Sequence, residues 1–178
     1  MISSALLLLG TNHLNATAGP PADSVTWLDY QQGVAAAKQT GKPMLVFFYR
    51  NTCPFCQEVL SSTLKTDTST IQYINANFVP IHVDIESKAP MTVDNVTTTE
   101  ARFAYVNWSM SSVPCMWLLE SNGCRIKKLR GMRACKKVLA SLQEVHDHTY
   151  GDCPNAPLVD PKPAPKITPA AATTTDKK

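Results

Sequence analysis

Cys53 and Cys56, separated only by Pro54 and Phe55, are the residues of this 178-residue chain best placed to do chemistry. Two thiols at that spacing can close a disulfide when they sit at the start of a helix. The species that attacks a disulfide is the thiolate. Proline is favoured at the first helical position, because its missing N–H would have no partner there. Cys53 would then face the unpaired N–H groups and the positive dipole end of the helix that Pro54 begins. A free thiol titrates near 8.5, and such surroundings bring it to about 3.5–7.5. Cys53 is therefore expected to be the exposed nucleophile, and Cys56, one turn in, the buried thiol that resolves a mixed disulfide. Pro54 and Phe55 would tune the pair. Arg50 would lend positive charge nearby, unless it is an ordinary exposed arginine.

Two plainer readings compete. The pair could be a structural disulfide, or half of a zinc site. Zinc needs two further ligands at suitable spacing, and there is no second Cys-x-x-Cys. Cys124, Cys135, His146 and His148 are available in the sequence, but nothing in it places them near Cys53. No metal is therefore expected.

The elements that would position the dithiol can be read from periodicity. Ser24 to Thr40 reads as a helix capped by Ser24 and stopped by Gly41. Pro43 to Tyr49 is almost wholly apolar, as a central strand covered on both faces requires. Helices are expected over Pro54 to about Ser62 and over Ser69 to Asn75. Phe78 to Ile85 should be a strand parallel to the first, since a strand–helix–strand unit demands that crossover. Glu86 to Thr98 reads as an irregular insertion, and Thr98 to Val106 as a short helix. Ser121-Asn122-Gly123 separates the apolar run from Cys115 to Glu120 from the run between Cys124 and Arg130, a strong hairpin signal. Ala134 to His148 should be the last helix.

The resulting order, together with several local motifs, resembles the thioredoxin-like superfamily, and in pattern its exported members of the bacterial envelope. The shared residues are Trp27-Leu28-Asp29-Tyr30, Gly41-Lys42-Pro43, the dithiol, Phe78-Val79 with Asp84, Val113-Pro114, and Gly131 after the hairpin. The resemblance covers about Ser24 to His148. It implies an α/β thioredoxin fold, a central mixed sheet of about four strands flanked by helices. It also implies that Pro114 is cis and packs against the dithiol, with Val113 offering its backbone to an extended substrate peptide. In two places the chain departs from thioredoxins proper. Their buried acid six residues before the first cysteine is here Phe47, and their tryptophan just before that cysteine is here Thr52. Glu58 is a candidate for handling the Cys56 proton, with a solvated helix-face carboxylate as the alternative. The Pro-Phe dipeptide is similar to that of glutaredoxins, but Cys115-Met116-Trp117 continues as strand where their glycine-rich segment would lie.

The chain has six cysteines. In a hairpin turning at Asn122-Gly123, Cys115 falls opposite Arg130, and Cys115 and Cys124 lie at opposite ends. The topology then permits the structural disulfides Cys115–Cys135 and Cys124–Cys153, within the 4.4–6.8 Å that Cα atoms need. Four reduced thiols remain the alternative.

The formal charge of +3 reads as spread along the chain, which gives nucleic-acid binding little support. Residues 1–22 resemble a secretory leader, an apolar run followed by Ala16 and Ala18, although no Lys or Arg precedes it. The run is too short to span a membrane. A thioredoxin-like domain over 23–153 would be followed by a disordered Pro/Ala/Thr/Lys tail over 154–178. The three matches to glycosylation sequons, at Asn15, Asn95 and Asn107, matter only in a eukaryotic secretory pathway. The expected protein is a monomeric, periplasmic or secreted thiol–disulfide oxidoreductase with no cofactor beyond its own Cys53–Cys56 couple. Its partners would be cysteine-containing proteins and a membrane electron donor of the thiol–disulfide interchange type. Reduction is the expected direction. A disulfide-donating oxidase and a non-catalytic binding module are the alternatives, and the reduction potential decides between the first two.

Overall fold

The computed structural model describes residues 24–93, 95–150 and Cys153. The expected leader over 1–22 and tail over 154–178 lie outside the described residues, as does the sequon at Asn15. The buried run Met44–Tyr49 forms β1. It pairs in parallel with β2 (Val79–Asp84) and antiparallel with β5 (Cys115–Leu119), which pairs antiparallel with β6 (Arg125–Arg130). The sheet order is β2-β1-β5-β6. This is the four-stranded mixed sheet of the thioredoxin fold.

Alternation along the strands sends successive side chains to opposite faces, so each face has its own core. Leu45, Phe47, Met116 and Leu118 meet α2 (Pro54–Ser61), α3 (Thr68–Asn77) and α6 (Val138–His146) on one face. Met44, Val46, Phe48 and Leu119 meet α1 (Tyr30–Thr40) and α4 (Glu100–Trp108) on the other. Gly33 of α1 lies so close to β2 that a Cβ built there would fall 2.2 Å from Cγ1 of Ile81.

The structure corrects three expected elements. The first helix begins at Tyr30, where the Asp29 carboxylate accepts the Gln32 N–H at 2.8 Å, and not at Ser24. The residues before it run extended along β2, with Leu28 donating to the Pro80 carbonyl and accepting from the His82 N–H. The insertion after Glu86 is not irregular. It folds as a hairpin of β3 (Pro90–Val93) and β4 (Val96–Thr99), with Asn95 at φ 65° in its turn. The last helix is two: α5 (Met132–Cys135) and α6, joined through Lys136 and Lys137.

Charge is not evenly spread either. Residues 125–137, which hold β6 and α5, carry seven Lys or Arg and no Asp or Glu. Among the described residues no helix is long and apolar enough to cross a membrane.

Candidate active site

β1 ends at Tyr49, and the chain turns through Arg50, Asn51 and Thr52 into α2. Pro54 occupies the first helical position, and Cys53 is the cap. The Cys53 sulfur accepts the Cys56 backbone N–H at 3.3 Å, so it satisfies one of the free donors at the helix start. The Cys53 carbonyl accepts from Cys56 at 3.0 Å and Gln57 at 3.1 Å. The Cys53 thiol in turn donates to the Val113 carbonyl at 4.0 Å, and the Val113–Pro114 bond is cis. Strand pairing brings these parts together. Phe48 is opposite Cys115, so the residues just before Cys115 meet the turn just after Tyr49.

Cys56 is fully buried, and Cys53 is only 6% exposed. The expectation of an exposed Cys53 is therefore corrected. Its sulfur is turned onto the helix start and the Val113 carbonyl, and it is the more accessible of two covered thiols. Phe55 between them is 60% exposed and forms the apolar surface next to the pair. Burial, then the hydrogen bond with Cys53, push the Cys56 thiol up to about 12, while a backbone hydrogen bond to Arg50 works the other way.

Of the two acids that hold the turn, sequence reasoning named Asp84 only as a shared residue and did not reach Glu86. The Arg50 Nη1 donates to Glu86 at 3.1 Å, and the Thr52 hydroxyl donates to the other Glu86 oxygen at 3.2 Å. The Asn51 amide donates to Asp84 at 3.0 Å, and Asp84 also accepts the Glu86 N–H at 3.0 Å. Three consecutive side chains before Cys53 are thus tied to the end of β2. The signal was present: Tyr49 is opposite Asp84, so whatever follows Asp84 must lie beside the dithiol turn. Glu86 holds the Arg50 guanidinium above its ordinary value, and the two cysteine sulfurs add smaller pulls in the same direction. The Arg50 Nε–H is buried and has no hydrogen-bond partner among the described residues.

Glu58 is engaged elsewhere: it is half exposed, and its carboxylate accepts from Lys136, just past α5, at 2.7 Å. At the position of the missing acid, Phe47 lies between Trp27 and Tyr49, with ring centroids 5.8 Å from each, and both of those rings also stack on His82. This wall is aromatic and carries no carboxylate.

The remaining cysteines divide. Cys124 and Cys153 form a disulfide with Cα atoms 6.3 Å apart. Cys115 and Cys135 are free and buried, which corrects the expected bridge between them. The register is as expected, with Cys115 opposite Arg130, but parity defeats the pairing. Cys115 faces the α1/α4 core, and Cys135 faces the α2/α6 core, where its thiol donates to the Leu129 carbonyl at 3.8 Å. Burial raises both thiols, Cys135 to about 12.

The description "Thioredoxin-like domain" fits residues 30–146, which contain the whole of this arrangement apart from Trp27 and Cys153. Among solved structures, a thioredoxin-fold protein from Helicobacter pylori superposes with a TM-score of 0.57 at 21% identity, over 73% of this chain and 81% of that one. A thioredoxin from Thermus thermophilus gives 0.54 at 21% identity, over 68% and 87%. An oxidoreductase called DsbH gives 0.52 at 16% identity, over 75% and 95%. At such identities the likeness is one of fold. An uncharacterised protein of Archaeoglobus fulgidus is 28% identical over 68 residues, 38% of this chain, and the match spans about half of that relative's length, 53%.

Proposed function

The chain belongs to the thioredoxin-like domain family, and from that premise we propose that it is a thiol–disulfide oxidoreductase that reduces disulfides in cysteine-containing proteins. One observation carries the reading: Cys53 is the cap of α2, with its sulfur on the Cys56 N–H and beside the Val113 carbonyl. A structural disulfide needs none of that placement.

The chemistry balances within the chain. An extended substrate segment lies against Val113 by short strand addition. The Cys53 thiolate attacks one sulfur of the substrate disulfide, a mixed disulfide forms, and the other substrate sulfur leaves as thiolate and takes a proton. Cys56 then loses its proton and attacks the Cys53 sulfur. The second substrate thiolate leaves, and Cys53–Cys56 remain as a disulfide. Two electrons and two protons have passed to the substrate.

Reduction is the direction we propose, and the reduction potential of the Cys53–Cys56 couple decides it. A potential near about −270 mV is expected, and one near about −120 mV would reverse the direction. The Cys124–Cys153 bridge is of a kind that persists in oxidising compartments. On that ground we place the protein outside the cytoplasm, where a membrane-borne dithiol would return it to the reduced state.

The test is insulin reduction with paired variants. Cys53→Ser should abolish turnover. Cys56→Ser should form a stable adduct through Cys53, visible on a non-reducing gel. Turnover in Cys53→Ser, or adducts only through Cys56, would reverse or remove the assigned roles.

A further inference from the structure

The basic stretch over 125–137 runs along the edge strand β6 to the dithiol end of the sheet and on into α5, and its charges are not equivalent. Lys127 pairs with Glu144 and Lys136 with Glu58. Lys128 lies over the Trp117 ring, 4.9 Å from its centroid, and Arg125 over the Trp108 ring at 4.1 Å. Arg130 and Arg133 are exposed and belong to no ion pair among the described residues.

These two arginines occupy the substrate end of the sheet. β6 is an edge strand, and its last residue, Arg130, is opposite Cys115, which directly follows the cis proline. The next residue, Gly131, donates its N–H to the Pro114 carbonyl at 2.9 Å. Arg130 is therefore one strand spacing, about 4.8 Å, beyond the strand that carries the cis-proline loop. Arg133 lies in α5, which packs beside α2, and Lys136 just past α5 pairs with Glu58 of α2. Arg130 thus ends the strand beside the cis-proline loop, and Arg133 lies in the short helix that follows it, next to α2.

Lysine on an edge strand is explained by defence against edge-to-edge association. It does not explain two forked guanidinium groups beside a substrate strand, since a fork suits a carboxylate in a way a point charge does not. On the opposite flank the acids are already engaged, Glu86 by Arg50 and Thr52, and Asp84 by Asn51.

We infer that Arg130 and Arg133 select substrates whose disulfide is flanked by Asp or Glu. The inference rests on the oxidoreductase reading above, and adds to it the charge of the preferred polypeptide. An acidic segment would lie along Val113 with its carboxylates reaching the two guanidinium groups. Attraction of this kind is long-ranged in water and weakens with salt, so it acts mostly on encounter and alignment.

The experiment uses the full chain, reduced, with two synthetic peptides. Each has one intramolecular disulfide, and they differ only in Glu or Lys on either side of it. Hydroxyethyl disulfide, small and uncharged, is the third substrate. The wild type should reduce the acidic peptide in a single turnover with a second-order rate constant about three- to tenfold higher at low salt, the range expected of exposed ion pairs. The ratio should fall towards one in 0.5 M salt. The double variant Arg130→Gln/Arg133→Gln should bring it near one, and Arg130→Glu/Arg133→Glu should invert it. A ratio is read, so a variant that is partly unfolded still reports. Equal rates on both peptides by a wild type active on hydroxyethyl disulfide would overturn the inference alone. A preference that survives charge reversal would do the same. A wild type inert on all three substrates would overturn the oxidoreductase reading, and this inference with it.

Discussion

In the proposed reaction Cys56 must become a thiolate to finish the exchange, and its surroundings oppose that. Burial is the first cause of its upward shift, and burial persists when Cys53 is tied up in a mixed disulfide. Near neutral pH only a small fraction of Cys56 is ionised, and that fraction grows about tenfold per pH unit until the thiol's own value is reached. The resolving step should therefore accelerate about tenfold per unit between pH 7 and pH 9, followed by rapid quench of a preformed mixed disulfide. A plateau in that window would mean that something nearby accepts the proton. Glu58 does not, because it is turned to Lys136. Arg50 is a second matter at this scale. Its guanidinium is shared between Glu86 and the two sulfurs. Glu86→Gln should leave more of that charge to the sulfurs and raise the rate at which iodoacetamide alkylates Cys53 at pH 7 by roughly two- to fivefold, the scale of an exposed ion pair. Arg50→Met should lower it. Unchanged rates in both variants would make Arg50 a bystander.

The elements hold these residues through register, and register has consequences elsewhere. α1 can lie on β2 only because Gly33 has no side chain. Glycine inside a helix ordinarily costs about 0.5–1 kcal/mol relative to alanine, so Gly33→Ala would stabilise a free helix. Here a Cβ would fall 2.2 Å from Ile81, and overpacking of that kind costs about 1–3 kcal/mol. Chemical denaturation should show Gly33→Ala to be destabilising, and a gain in stability would show that α1 shifts freely. The same scale explains what the sequence made legible. The dithiol turn could be read because proline and the preceding apolar run are local signals. The cis bond at Pro114 came only from the resemblance, since a Val-Pro dipeptide is seldom cis. The β3–β4 hairpin was missed because Pro90 and Asn95 are loop formers that here sit at a strand start and in a tight turn. The start of α1 was misplaced because Trp27 lies at helical spacing from Tyr30, Val34 and Ala37, yet the adjacent Leu28 is held along β2 by backbone bonds. The break between α5 and α6 carries no glycine or proline and left no sign. Cys115 and Cys135 were paired on proximity, which is legible from topology, without the face each occupies, which follows only from strand parity.

At the scale of the whole molecule, one covalent link closes the fold. Cys124 follows the β5–β6 turn, and Cys153 follows α6. The bridge has a sequence separation of 29, and the loop-entropy account gives about 3–4 kcal/mol for a ring of that size, less any strain. Cys124→Ala/Cys153→Ala should lower stability to denaturant by about that amount and leave the rate on hydroxyethyl disulfide within roughly twofold, because the dithiol is positioned by α2 and not by the bridge. Loss of both together would join the two regions more tightly than the packing suggests. The bridge and the dithiol occupy opposite ends of the sheet. Cys124 bonds to Glu120 beyond Leu119, which is opposite Met44 at the start of β1, and Cys53 lies past Tyr49 at its end. The length of β1 alone puts about 17 Å between them. The molecule is in that respect wired as two circuits that share a frame and have no junction. One is the free Cys53–Cys56 pair and the other the closed Cys124–Cys153 bridge, so in the proposed reaction electrons bound for a client would have no short circuit through the chain's own staple.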